Sequence, residues 1–145
     1  MKKKELLIEA SCALFILLMV YVASSKLIDF STFRVELGKS PVLTLFAGYV
    51  AWFIPLVEIV IAMMLCFDKT RMSGIYAFVT LMTMFTAYIV MILNYSSYIP
   101  CSCGGALQNM NWTQHLWFNV GFVLLGCIVV LLYPEPKSKI LKDDL

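Results

Sequence analysis

Four uninterrupted apolar runs dominate this chain, near Leu6–Ser24, Val42–Cys66, Ser73–Leu93 and Thr113–Tyr133. Each is long enough to cross a bilayer as a helix, which takes about 20 residues. The chain has 145 residues, of which 61% are hydrophobic and only 14% charged, too apolar a balance for a water-soluble domain of this size. Lipid is therefore the solvent for most of its exterior. In lipid every backbone N–H and C=O must be paired within the protein, and runs of this length satisfy that as helices. The expected fold is a single all-α domain over residues 1–145, an antiparallel four-transmembrane-helix bundle with a short charged tail at 134–145.

The net charge of +2 says little, but its distribution sets the orientation. Lys2, Lys3 and Lys4 precede the first run, Lys69 and Arg71 lie between the second and third, and Lys137, Lys139 and Lys142 follow the fourth. The two remaining loops hold only Lys26, Arg34 and Lys39. The basic excess places both termini inside and the loops Ser25–Pro41 and Asn94–Trp112 outside. No basic patch suggests a nucleic-acid partner; the lipid bilayer is the first one. Lys2–Lys4 with the following apolar stretch and Val22-Ala23-Ser24 imitate a cleavable signal, but the run is long for one, which favours a retained helix.

The first outer loop carries Leu27, Phe30, Phe33 and Leu37 near helical spacing, with Asp29, Arg34 and Glu36 between them. This pattern predicts a short amphipathic helix at the membrane surface or folded over the bundle mouth. Gly38 is expected to end it and Ser40-Pro41 to start the second span. An irregular loop with buried aromatics is the alternative.

The second outer loop holds Ile99-Pro100-Cys101-Ser102-Cys103-Gly104-Gly105. Two cysteines one residue apart close almost no chain, so a bridge between them staples little. A ring that small is sterically tight, and strain makes a disulfide easier to reduce. Pro100 fixes the backbone entering it, and the glycines supply unusual dihedrals leaving it. Outside the cell disulfides persist. The pair thus points to two-electron thiol chemistry, with an inert bridge or a metal site as rivals. Zinc usually needs about four ligands, and only His115 remains as a nitrogen donor. Cys12, Cys66 and Cys127 fall within or at the inner ends of spans and are expected to be small packing residues.

His115 lies in the first turn expected for the fourth span, with Thr113 as a plausible cap. A neutral imidazole there can accept a thiol proton, or simply meet water and headgroups. Asn119, four residues on, shares its helix face, and Gln114 is expected to join them at a polar entrance. Asn119 also suits a role as interhelical glue. Trp112 fits an interfacial aromatic belt. Glu58 sits near the bilayer midplane, three residues after Pro55, and must face the bundle interior. It is a candidate proton group, or a donor to the carbonyl that Pro55 leaves free. Lys26 and Asp29 are expected to pair with each other or cap the bundle, a contact of little energy.

Three stretches together resemble the methylamine-utilisation MauE type of membrane protein, within a wider DoxX-like group. They are "SKLIDFSTFRVELGKSP", "FIPLVEIVIAMML" and "IPCSCGGALQNMNWTQHLWFN", and in order they span nearly the whole chain. The resemblance implies a four-helix protein of the bacterial inner (plasma) membrane that helps form or maintain disulfides in exported partners. It also implies quinone as an electron acceptor by analogy with sulfur-oxidising relatives. Vitamin K epoxide reductase-like enzymes share the bundle but carry Cys-x-x-Cys and a further loop pair, and this chain has neither.

The expected function is membrane thiol–disulfide exchange. Cys101 and Cys103 carry the electrons and His115 the thiol proton. Glu58, Asn119 and Trp112 are candidates for a quinone or proton site, and a thioredoxin-like or exported protein is the partner. The alternative is a non-catalytic membrane subunit or assembly factor that scaffolds a redox enzyme. A small-lipophile carrier using Glu58 ranks last, since four helices leave little room for a polar path.

Overall fold

The computed structural model describes residues 2–97 and 110–134. They form five helices and, among the described residues, no strand: α1 (Lys2–Ile28), α2 (Phe30–Lys39), α3 (Ala47–Cys66), α4 (Arg71–Tyr95) and α5 (Trp112–Leu132). All but α2 are long and apolar enough to cross a membrane, so the expected four-helix membrane bundle is what the chain forms. The spans are apolar on every side, as helices with a protein neighbour on one face and lipid on the other must be. Leu17, Trp52, Phe53, Leu56 and Leu131 accordingly sit exposed on the outside.

The helix boundaries depart from expectation where polar chemistry decides them. α1 extends beyond 6–24 at both ends, because lysine is a good helix former whose head reaches water while its stem lies on apolar surface. α3 begins at Ala47 rather than Val42. The Ser40 carbonyl accepts from the N–H groups of Leu43 and Thr44 and from Thr44 Oγ1 at 2.6 Å, which holds residues 41–46 in turns. Gly38 does not end α2, which runs on to Lys39 and is capped by Ser40. Leu27 belongs to α1, and α2 buries Phe33 and Leu37. At α5 the N-cap is Asn111, not Thr113; Gln114 Oε1 accepts from the Asn111 N–H at 3.0 Å.

Around the bundle α1 packs beside α3, α3 beside α4, α4 beside α5 and α5 beside α1, and α2 lies mainly on α3. The Phe15 and Phe78 rings stack at 4.1 Å between centroids, and Phe122 lies 6.3 Å from each, so α1, α4 and α5 share one aromatic core. A smaller cluster of Phe33, Leu37, Ala47 and Ala51 seats α2 on α3, with the Phe30 ring 4.6 Å from that of Trp52. Small residues let the helices approach. A Cβ on Gly74 would come within 3.1 Å of the Leu65 backbone, which brings α4 tight against α3 at their hairpin. That hairpin is pinned by Thr70 Oγ1 donating to Met64 O at 2.8 Å and by an Arg71–Asp68 pair at 2.6 Å.

Cys12 is buried in the core, as expected of a packing residue. Cys66 and Cys127 are exposed instead, each on the outward side of its helix, so they do not pack the bundle.

Candidate functional site

Glu58 lies near the middle of the 20-residue α3, roughly 16 Å along the axis from Ala47 at about 1.5 Å per residue. Its side chain is 0% exposed. A lone carboxylate there would be expensive. The last turn of α1 supplies the answer: Lys26 sends its ammonium inward and donates to Glu58 Oε1 in a salt bridge. Its aliphatic stem gives it the reach. Lys26 therefore does not pair with Asp29, which is exposed at the start of α2. A surface pair had been expected because both residues lie in one loop; the buried carboxylate is the stronger partner because it has no water to compete.

The pair also settles the role of Glu58 toward Pro55. Pro55 is buried within α3 and leaves the carbonyl one turn before it without a helical donor. Glu58 does not serve that carbonyl. Oε1 accepts a hydrogen bond from the Lys26 ammonium, and Oε2 is buried with no hydrogen-bond partner among the described residues.

Lys26, at the end of α1, stands where α2, α3 and α4 meet it. Its Nζ lies 5.3 Å from the ring centroid of Phe85 on α4 and 5.8 Å from that of Phe33 on α2. Such contacts attract a cation to the ring face. Glu58 anchors it to α3. His115 packs by Trp112, with ring centroids 6.0 Å apart, and its Nδ1 is buried without a hydrogen-bond partner among the described residues. Glu58 Oε2 and His115 Nδ1 are thus two buried polar atoms without a partner among the described residues, each a cost of about 1–3 kcal/mol unless something fills it.

Asn119 lies one turn deeper on α5 than His115 and is buried, as a residue on the same helix face should be. Gln114 does not join a polar entrance: it is exposed, and its amide oxygen is committed to capping α5. A second polar contact joins distant segments in the same region, Tyr88 donating from α4 to Ser40 Oγ at 2.9 Å. Cys101 and Cys103 lie outside the described residues. The segment that carries them joins Tyr95 of α4 to Trp112 of α5.

Fold and site define a class: an all-helical, multi-pass membrane protein whose bundle holds a part-buried ion pair on a mid-helix carboxylate. The chain belongs to the MauE family, since the model for methylamine utilisation protein MauE matches residues 4–133 and so takes in all four spans. No match was found among curated proteins or among solved structures.

Proposed function

We propose that this MauE-family protein is a membrane thiol–disulfide redox component whose working pair is Cys101 and Cys103. The observation that carries this reading is the sequence Pro100-Cys101-Ser102-Cys103-Gly104-Gly105 in the segment joining α4 to α5. The family's name points to methylamine utilisation, and the charge asymmetry supports a location of the pair on the outer face of the bacterial inner membrane.

A partner thiolate attacks one sulfur of the Cys101–Cys103 disulfide. A mixed disulfide forms, and the other cysteine leaves as a thiolate. The partner's second thiolate then attacks the mixed disulfide, so the partner gains a disulfide and the pair is left as a dithiol. Two electrons have entered the protein, and the two protons that the partner's thiols shed on becoming thiolates reprotonate the pair. The electrons leave to a quinone in the bilayer or to a thioredoxin-like protein, with His115 taking a thiol proton. The partner is an exported protein with a thiol pair of its own.

The test is a redox titration of the pair by alkylation and mass shift, in membranes equilibrated with graded thiol buffers. A reversible two-electron transition near or above about −200 mV supports the reading. A pair still oxidised down to about −300 mV, or full cellular function in Cys101→Ser and Cys103→Ser alike, overturns it in favour of a scaffold for a partner enzyme.

A further inference from the structure

We infer that Lys26, Glu58 and His115 form a binding site for the head group of a lipid-soluble quinone, with Lys26 as the fixed donor and Glu58 and His115 as the two proton-exchanging groups. This rests on the redox reading above and names the acceptor and the residues that hold it.

The inference starts from what the site leaves unfilled. Glu58 Oε2 and His115 Nδ1 are both buried and both without a hydrogen-bond partner among the described residues. Both belong to groups that change between accepting and donating: a carboxylate or bare imidazole nitrogen accepts, and the protonated form donates. Lys26 cannot change in this way, because an ammonium only donates. A ligand that suits all three offers two oxygens that accept when oxidised and donate when reduced. The carbonyls of a quinone and the hydroxyls of its quinol have that property.

The surroundings agree with a flat aromatic head. Phe33 and Phe85 face the Lys26 ammonium, and Trp112 lies by His115. Apolar and aromatic walls around a few convergent polar groups are the usual make-up of a small-molecule site. Water alone could fill the two vacant hydrogen-bonding positions, but it would make no use of the rings. The helices around the site are apolar on their outer faces, so a ligand arrives from lipid.

The electrons balance within the protein. The Cys101–Cys103 dithiol is oxidised to the disulfide and gives up two electrons and two protons. The quinone takes both electrons and becomes the quinol. The two protons that the thiols lose are taken up by Glu58 and His115, which then pass one each to the two quinone oxygens. No further oxidant is required.

The test uses the full chain in lipid nanodiscs with a short-tailed benzoquinone or naphthoquinone as the probe. Binding is read by quenching of tryptophan fluorescence and by the infrared shift of the quinone carbonyl stretch. Lys26→Met is expected to weaken binding at least tenfold and to remove the carbonyl shift. Because a lone buried Glu58 could unfold the bundle, Lys26→Met/Glu58→Met, which leaves no charge behind, is measured alongside; it is expected to melt near the wild type yet bind at least tenfold more weakly. Saturable wild-type binding lost in the double variant supports the site. Absence of saturable binding to the wild type, or equal affinity in the double variant, overturns it. If quinone binds through Lys26 while the cysteine pair never titrates, the redox reading falls and the site stands. If the pair titrates and no quinone binds, the site falls and the redox reading stands.

Discussion

Gly126 of α5 lies so close to Val79 of α4 that a Cβ placed on it would sit 2.5 Å from Val79 Cγ2. A branched side chain on a helix has little freedom to swing away, so the helices themselves would have to part. Gly126→Ala is expected to destabilise the bundle by about 1–3 kcal/mol, the usual cost of overpacking. Val79→Ala in the same chain should recover most of it. Thermal unfolding of the two single variants and the double variant in detergent checks this; additive losses would mean that the two residues are not the point of contact.

The stacked Phe15 and Phe78 rings bridge α1 to α4 across the bundle, and both side chains are fully buried. Phe78→Ala should cost about 3–5 kcal/mol through lost burial and the cavity left behind. Phe78→Leu fills most of that volume and should cost clearly less. Denaturation midpoints of the two variants give the comparison.

Lys26→Met alone leaves the Glu58 charge buried and unpaired, which is expected to cost about 3–5 kcal/mol. Removing both charges in Lys26→Met/Glu58→Met should be close to neutral, since apolar side chains of similar size often replace a buried pair without loss. Stability of the double variant below that of either single variant would contradict the pairing.

Gln114→Ala removes the acceptor that holds the Asn111 N–H at the start of α5. The loss should be about 1 kcal/mol and confined to the first turn. Hydrogen exchange reads it at the His115 amide, which bonds to Asn111 O at 2.9 Å and should exchange faster.

The spans were legible because length and apolarity are local properties of a sequence. The start of α3 was not, because Ser40 holds the chain in turns through its carbonyl, and Pro41 does not itself begin a helix. Thr113 reads as the cap of α5; the glutamine three residues after Asn111 is the signal that points to Asn111 instead. Glu58 could be recognised as an interior group from its position alone. Its partner could not, because Lys26 lies 32 residues away and pairs with it only once α1 and α3 are neighbours. Asn119 was readable as an inward residue from its place four residues after His115.

The ion pair also gives the chain a history during synthesis. As α3 leaves the ribosome it carries a carboxylate whose entry into hydrocarbon costs about 2.5–3.5 kcal/mol at mid-helix. The group that pairs with it among the described residues is on α1, already made and waiting in the bilayer. The first helix thus works as an insertion partner for the third, and a generic anchor in its place would leave α3 hesitating at the membrane.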